Sequence, residues 1–550
     1  MSRKTFVVLI ILVGIVNLTG LFSDIFTADS SLYATISKSL SQSGDYLNIY
    51  VQGQDWLDKP HFPFWICALS IKAFGVNTFA YKFPSILFFF IGLVYTYKLA
   101  KLLYDKETAY LATLILGSSI HIIVSNNDTR AEAILLCLVV AAVYHMYKLT
   151  LKFTIRDIIF TSLYCAAAIM TKGIFVLIIV YSAIFGNLIF RKEFKKLFNY
   201  KWIIVFVLTF ILIIPELYAL YIQFDLHPEK VVFNRTGVSG IKFFLWDCQF
   251  GRFFNTGPIK GTGNITFFLG TMMWAFAPWA IVGFSSLFIF GKNMLKNINS
   301  KEFVTFFGFT IMFIVFSVSK FQLPHYLNIL YPFLAILLAH QFIIYKGERK
   351  FDLIAKISIN IYAVFYLLVM ILLGYFFRPD LIYIGIFLSS CLLLLIVLFN
   401  FSNITLKYKS IIYGVLSTML FGLFLNLNFY PTLLKYQAGA KSALYINKEY
   451  PEFRVIATGL DDWLLDYYLK SKLIRVEEIN KVKEYMTDRN ALIYTDESFL
   501  KSMKETGVNY SVLKTFDYFH ITRLNKTFIN RSTREKATGK RYLVKIESVN

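Results

Sequence analysis

The chain has 550 residues, of which 57% are hydrophobic and only 16% are charged, and its formal net charge is +22. Soluble domains carry about 25% charged residues, so this composition excludes an ordinary soluble protein. A basic balance can also mark a nucleic-acid-binding protein. That class is excluded because the Lys and Arg residues lie in short loops between apolar runs, not on one soluble face.

Apolar runs long enough to cross a bilayer recur along the chain. A transmembrane helix needs roughly 20 mostly apolar residues, and the segments 5–22, 202–224 and 410–430 are examples of such runs. The sequence predicts a polytopic α-helical membrane protein with about 13 transmembrane helices. The first run follows a short basic start and lacks a convincing cleavage site, so it is predicted to be an uncleaved first span.

The loops between these runs differ in basic residues. Lys and Arg are dense in loops such as 98–106, 148–156, 191–201 and 346–356, and sparse in the alternating loops. Cytoplasmic loops carry the excess of Lys and Arg. The sequence therefore predicts a cytoplasmic N-terminus and an extracytoplasmic C-terminal segment.

The first outer loop, residues 24–77, is longer than a simple turn needs. Leu32, Ile36 and Leu40 are spaced for one apolar helix face, and a second apolar stretch follows Pro60, a residue suited to a first helical turn. Both stretches are too short to span a bilayer. They are predicted to be amphipathic helices at the membrane interface.

After about residue 430 the composition changes to that of a soluble module. We therefore predict a transmembrane domain at 1–430 and a small extracytoplasmic α/β domain at 431–550, a size within the usual domain range. Within the second domain the pattern predicts three strands and two helices. The strands are predicted at 454–457, 491–494 and 542–546, and the helices at 461–470 and 477–486.

Ionisable residues near membrane depth are costly, so they are candidates for function. Asp29, followed by Tyr33 in the same motif, comes directly after the first span. A carboxylate there can orient or deprotonate an acceptor hydroxyl, or stabilise an oxocarbenium-like state. The alternative for Asp29 is a structural one, as N-cap of the first amphipathic helix.

Two further groups of residues lie at the outer ends of predicted spans. In the first, Lys59 can neutralise a lipid-linked phosphate, and Asp58 with His61 are candidate ligands of a divalent metal. The alternative for Lys59 is a snorkelling interfacial lysine. In the second, Lys320 and His325 flank a proline-limited turn and suit a phosphate leaving group. A single His at a span end is otherwise an interfacial anchor. Smaller signals are Asp128 with Arg130 and Glu132, then Lys172, and Arg252 as a further candidate contact of the phosphate. Each of these is otherwise an ordinary span-end charge.

These motifs together resemble one branch of the membrane glycosyltransferases. The segments Leu57–Phe64 and Ser319–Pro332, with an acid after span one and a Thr-Lys-Gly element between them, are similar to the aminoarabinose transferase and protein O-mannosyltransferase branch of the GT-C type. The resemblance implies transfer of a sugar from a polyprenyl-phosphate carrier to an extracytoplasmic lipid, protein or glycan acceptor. It also implies a bacterial-type cytoplasmic (inner) membrane location.

The resemblance also implies roles for individual residues. Asp29 matches the catalytic aspartate, Lys59 the lysine that contacts the carrier phosphate, and Asp58 a position associated with metal binding. Lys320 and His325 match late positions near the phosphate, with Asp128 similar to a second outer-turn acid. A transporter or flippase of lipid-linked saccharide is the alternative function. It is disfavoured because we find no internal repeat and the ionisable residues favour outer span ends.

Overall fold

The computed structural model describes residues 1–295, 302–401, 408–460, 462–476 and 490–549. Most of these residues are helical, as the apolar runs predict. The longer helices of the membrane part are Arg3–Thr19, Ala28–Ser43, Phe62–Phe74, Thr78–Leu103, Lys106–Gly117, Ile120–Asn127, Ala131–Leu151, Ile155–Lys172, Val176–Phe190, Lys201–Leu212, Ile214–Leu220, Phe267–Ala275, Ala280–Leu295, Val304–Val318, Tyr331–Ile344, Arg349–Leu372, Ile382–Phe401 and Lys409–Phe424. A 3-10 segment, Pro324–Ile329, joins two of them.

Within the described residues, seven helices are long and apolar enough to cross a membrane. The number is eight if the pair Lys106–Gly117 and Ile120–Asn127, bent by 54°, forms one span. Several shorter apolar helices, among them Val304–Val318 and Tyr331–Ile344, accompany them. The chain is thus a multi-pass membrane protein, while the number of about 13 spans stays a prediction.

The helix Ala131–Leu151 lies at the centre of the membrane part. It packs against Thr78–Leu103, Ile155–Lys172 and Val176–Phe190, and most of its side chains are buried. The helix begins directly after Arg130, and Glu132 lies in its first turn. The N-terminal end of this buried helix therefore places Glu132 near the predicted site residues.

Both predicted helices of the first outer loop are present. The first loop helix, Ala28–Ser43, ends at Gly44, whose positive φ of 73° is a left-handed conformation that suits glycine. A hairpin of β1 (Tyr50–Val51) and β2 (Gln54–Asp55) follows. The second loop helix, Phe62–Phe74, has a proline in its first turn, although this residue is Pro63 and not Pro60.

A five-stranded sheet forms the core of the C-terminal module, in the order β4-β3-β5-β7-β6. Parallel pairing joins β3 (Arg454–Thr458) to β4 (Leu473–Val476) and to β5 (Ala491–Asp496), and antiparallel pairing adds β7 (Gly539–Val549) and β6 (Val508–Tyr518). The helices of this part include Ala438–Glu449, Trp463–Tyr468 and Glu497–Glu505.

The small C-terminal sheet domain is confirmed, and the strands predicted at 454–457, 491–494 and 542–546 all lie within it. The helix predicted at 461–470 is present as Trp463–Tyr468. The helix predicted at 477–486 lies outside the described residues. The domain division at residue 430 stays a prediction.

The sheet domain packs on the first outer loop. Thr35 Oγ1 donates to the carbonyl of Trp463 at 3.1 Å, and the Lys38 ammonium donates to the carbonyl of Leu469 at 2.8 Å. The hydroxyls of Thr78 and Tyr468 are 2.7 Å apart. The C-terminal domain and the first outer loop therefore lie on the same side of the membrane part.

Candidate active site

Asp29 lies in the first turn of the first loop helix and does not cap it. The N-cap is Thr27, whose hydroxyl oxygen accepts from the backbone N–H of Ser30 at 3.2 Å. The Thr27 hydroxyl in turn donates to Asp128 Oδ1 at 3.0 Å. Since Thr27 fills the capping role, the Asp29 carboxylate is left 60% exposed, with Arg130 Nη1 at 3.7 Å from its Oδ2.

Arg130 contacts residues from distant parts of the chain. Its Nε donates to Asp128 Oδ2 at 2.9 Å, and its Nη1 donates to His325 Nδ1 at 3.1 Å. Because a guanidinium can only donate, Nδ1 of His325 is an acceptor and the imidazole is neutral. From the sequence, Arg130 is only a smaller signal beside Asp128, with no role assigned to it.

The neutral state of His325 has a clear electrostatic origin. Burial lowers the pKa of His325 to about 3, and although Glu132 acts to raise the pKa, the cations Arg130 and Lys172 lower it further. The His325 Nε2 atom is 3.6 Å from Glu132 Oε1. His325 thus links Arg130 to Glu132 without contributing a positive charge at neutral pH.

Glu132 and Lys172 form a buried ion pair. The Lys172 ammonium also lies 4.0 Å from the ring centroid of Tyr326, a cation–π contact. From the sequence, Glu132 is only a smaller signal, because an acid in the first turn of a helix is also an ordinary helix-start residue, and Tyr326 has no assigned role. The pair anchors the predicted Lys172 beside the 3-10 segment Pro324–Ile329.

Gly173 explains why a glycine follows this lysine. Its φ of +98° is a left-handed conformation, and a Cβ at this position would lie 2.0 Å from Gln249 Nε2. The same amide donates to the carbonyl of Lys172 at 3.1 Å. Only glycine allows this approach without strain, which fixes the end of the helix and therefore the position of the Lys172 side chain.

Asp58 is surrounded by cations. Its Oδ2 accepts from the Lys59 ammonium at 2.5 Å and its Oδ1 accepts from Arg252. Burial acts to raise the pKa of Asp58, but Lys59 and Arg252 outweigh it and hold the pKa below the ordinary value. Asp58 therefore orients two cations that point toward the same space.

His61 pairs with Glu216. Its Nδ1 is 3.0 Å from Glu216 Oε1, and its backbone N–H donates to Glu216 Oε2 at 3.0 Å. The two residues are 155 positions apart in the chain. Both side chains are buried.

The predicted metal ligands do not fit a metal site. Both oxygens of Asp58 already accept from cations, and the Nδ1 of His61 is engaged with Glu216. Among the residues that the structure describes, no group of three or more His, Cys, Asp or Glu side chains is placed to hold a metal ion. A divalent ion bound by Asp58 and His61 together is therefore not supported.

Two cavities meet at Lys59. The large cavity, a space of about 840 Å³ that includes open solvent, is lined by Lys59, Lys172, Arg252 and Tyr326, and its far wall is apolar, with Val176, Met312 and Phe316. The small cavity, a space of about 380 Å³ that also includes open solvent, is lined by Lys59, Tyr33, Arg130 and Thr129. Because Lys59 lines both, the two cavities are neighbours, and the small one is also lined by Arg130, the partner of Asp29.

Two predicted phosphate contacts do not line the large cavity. Lys320 has an exposed side chain, and its backbone N–H donates to the carbonyl of Phe253 at 3.1 Å. His325 is held by Arg130 as described above. The segment between them lines the large cavity with the aromatic ring of Phe321 instead. The Arg252 guanidinium lies 5.5 Å from the centroid of that ring. Lys59, Lys172 and Arg252 are the predicted cations that the structure brings together.

Comparison with known proteins identifies similar sequences and folds. The family described as dolichyl-phosphate-mannose-protein mannosyltransferase matches residues 58–218. The chain is 26% identical over 318 residues to the undecaprenyl phosphate-alpha-4-amino-4-deoxy-L-arabinose arabinosyl transferase of Serratia proteamaculans, an alignment that covers 56% of this chain and 54% of the relative. The chain thus spans about half the length of the curated relatives of this kind.

Solved structures extend the similarity to nearly the whole fold. ArnT from Cupriavidus metallidurans, solved bound to undecaprenyl phosphate, superposes with a TM-score of 0.74 at 16% identity over 99% of this chain and 98% of ArnT. The Archaeoglobus fulgidus oligosaccharyltransferase gives a TM-score of 0.53 at 10% identity over 90% of this chain and 70% of that one. The GT-C type fold and the resemblance to the aminoarabinose transferase branch are confirmed.

Proposed function

We propose that this protein transfers a sugar from a polyprenyl-phosphate carrier to an acceptor on the extracytoplasmic side of the membrane. The observation that carries the proposal is the large cavity, where Lys59, Lys172 and Arg252 lie against an apolar wall. Cations suit the carrier phosphate, and an apolar wall between helices suits a prenyl chain. The Nε of Arg252 is buried and, among the described residues, has no hydrogen-bond partner, so it is available to a phosphate oxygen.

The reaction assigned to this site is a displacement at the anomeric carbon. The acceptor oxygen forms the new bond on the face opposite the phosphate, and the bond between the anomeric carbon and the phosphate oxygen breaks. The acceptor proton passes to Asp29, and polyprenyl phosphate leaves with its charge stabilised by the cations of the large cavity. Arg130 holds Asp29, while Asp58 and Glu132 hold the cations.

The proposed orientation follows the distribution of basic loops. The N-terminus is cytoplasmic, and the site and the C-terminal domain at 431–550 are extracytoplasmic, in a bacterial-type inner membrane. The acceptor is a lipid A-like glycolipid, a protein or a glycan. The contact between the C-terminal domain and the first outer loop supports a shared outer side.

A transporter or flippase remains the less favoured function. Each relative and solved structure described above whose name states an activity is a transferase. Transporter sites lie near the bilayer midplane between repeats, whereas the cations here gather beside the first outer loop.

The test is donor consumption by purified protein. We expect Asp29→Asn to lower the release of polyprenyl phosphate from a radiolabelled donor by at least about 100-fold, the range of a lost general base. The matched control is Asp24→Asn, since Asp24 pairs with Lys441 at 3.4 Å and has no assigned role in the reaction. Full activity of Asp29→Asn, in protein that inserts normally, contradicts the proposal. Mass spectrometry of envelope lipids and glycoproteins with and without the protein then identifies the acceptor.

A further inference from the structure

The small cavity lies where the donor sugar has to be if the proposed function holds. A carrier phosphate at Lys59 in the large cavity places the attached sugar on the other side of Lys59, in the small cavity. Tyr33, one helical turn after Asp29, lines that cavity.

The charged residues that line the small cavity are both cationic. Lys59 and Arg130 line it, and none of the described residues that line it is acidic. The nearest carboxylates are already paired, Asp58 with Lys59 and Arg252, and Asp128 and Asp29 with Arg130. An ammonium group on the sugar would meet two cations and find no unpaired carboxylate.

The cavity also offers a group that matches a sugar hydroxyl. Thr129 is only 3% exposed, lines the small cavity, and its Oγ1 has no hydrogen-bond partner among the described residues. A buried hydroxyl without a partner costs free energy, so such groups are normally satisfied in proteins. A hydroxyl on the ligand can both donate to and accept from Thr129, and it can accept from Arg130.

We propose that the donor sugar of this protein is a neutral, hydroxyl-bearing sugar and not a cationic amino sugar. This inference rests on the proposed function and concerns the same site. It separates this chain from its arabinosyl transferase relatives, whose names specify a 4-amino-4-deoxy sugar. In this protein a hydroxyl occupies the place of the amine, facing Arg130 and Thr129.

The test uses two donors that differ in one group. Undecaprenyl-phosphate-linked arabinose and its 4-amino-4-deoxy analogue are given separately to purified protein, and release of undecaprenyl phosphate is measured with envelope extract as acceptor. We expect kcat/KM to be at least about tenfold higher for arabinose, because a site built to bond a hydroxyl discriminates strongly. Equal or faster consumption of the amino sugar overturns the inference and leaves the proposed function standing. Consumption of neither donor, nor of the glucose and mannose derivatives, overturns both.

Variants separate recognition from folding. Thr129→Val keeps the shape and removes the hydroxyl, so we expect KM for the neutral donor to rise about tenfold with kcat nearly unchanged. Thr113→Val is the matched control, because the buried Thr113 hydroxyl donates to the carbonyl of Ala109 at 2.8 Å within its own helix. Arg130→Gln should reduce the ratio of kcat/KM for the arabinose donor to kcat/KM for the amino-sugar donor. An unchanged preference in Arg130→Gln, or an unchanged KM in Thr129→Val, contradicts the assigned recognition.

Discussion

Lys59 and Lys320 are two lysines with the same predicted role and different surroundings. Lys59 lines both cavities and is oriented by Asp58, whereas Lys320 has an exposed side chain outside the large cavity. We expect Lys59→Ala to lower kcat/KM by about 100-fold, the scale of one lost electrostatic contact in a transition state. Lys320→Ala should stay within about twofold of the wild type, because an exposed charge is screened by water. Steady-state kinetics on the two variants checks this, and an equal loss in both would contradict the assignment.

His325 gives the site a specific pH dependence. Burial and the nearby cations lower its pKa to about 3, while the unfolded pKa is about 6.5. Protonation of His325 is less favourable in the folded state than in the unfolded state. The free energy of unfolding therefore falls as the pH drops below about 6.5, by about 1.4 kcal/mol per pH unit. Above that pH the effect is absent.

The pH prediction is checked with His325→Gln, which keeps an acceptor for Arg130. Thermal unfolding in detergent should show that the wild type loses more stability than His325→Gln between pH 6.5 and 5. The profile of kcat/KM should lack an ionisation of His325 between pH 5 and 8. A step near pH 6.5 that disappears in His325→Gln would identify His325 as a charged phosphate contact instead.

The sequence located much of the site but not its connections. Asp29, Lys59 and Lys172 stand out because charges at span ends are costly, and the structure brings them to one region. Arg130 and Glu132 were only smaller signals without an assigned role, because charges at the start of a helix are common. Their partner His325 lies 195 residues from Arg130 in the chain, and no local pattern encodes such a pairing.

The second loop helix, Phe62–Phe74, is fixed to the membrane part by His61 and Glu216. Glu216 is fully buried, so its hydrogen bonds to His61 hold the start of this helix and, with it, the preceding residues Asp58 and Lys59. We expect His61→Phe to lower the free energy of unfolding by about 3 kcal/mol, because it leaves a buried carboxyl without its side-chain partner. Thermal unfolding followed by tryptophan fluorescence measures the change.

A double variant is the control for this prediction. His61→Phe combined with Glu216→Leu removes both polar groups and should recover part of the lost stability. If the double variant is no more stable than His61→Phe, the side chains of His61 and Glu216 are not energetically coupled. Loss of wild-type activity in a chelator, restored by a divalent ion, would instead support metal binding by His61 and Asp58.

Elements with a strong periodic pattern could be predicted, and edge elements could not. The loop helices and the strands β3 and β5 follow from apolar spacing and from short apolar runs. The strand β6 (Val508–Tyr518) was missed because its burial is irregular and its pairing with β7 contains register shifts. The breaks in the long membrane helices were also not predicted, because hydropathy does not show where a helix bends. An example is the bend of 54° between the helices that end at Gly117 and begin at Ile120.

The whole molecule combines a membrane part and a sheet domain that share one side. Lys38 and Thr35 of the first loop helix form hydrogen bonds with the sheet domain, and the same helix carries Asp29 in its first turn. If this helix is extracytoplasmic, the sheet domain and the cavities must be extracytoplasmic as well. A single topology measurement therefore tests the orientation, the domain position and the side of the reaction together.

Cysteine labelling in intact cells makes that measurement. The five native cysteines are replaced first, and the resulting protein must keep its activity. Gln42→Cys in the first loop helix and Lys472→Cys in the sheet domain should react with a membrane-impermeant maleimide added outside, because both side chains are exposed. Lys195 and Lys350 are exposed residues in the basic loops that the positive-inside rule places in the cytoplasm. Lys195→Cys and Lys350→Cys should therefore react only after the membrane is opened.

Labelling of positions 42 and 472 from opposite sides would contradict the packing of the two parts. Labelling of 195 and 350 from outside would invert the orientation and place the reaction on the cytoplasmic face.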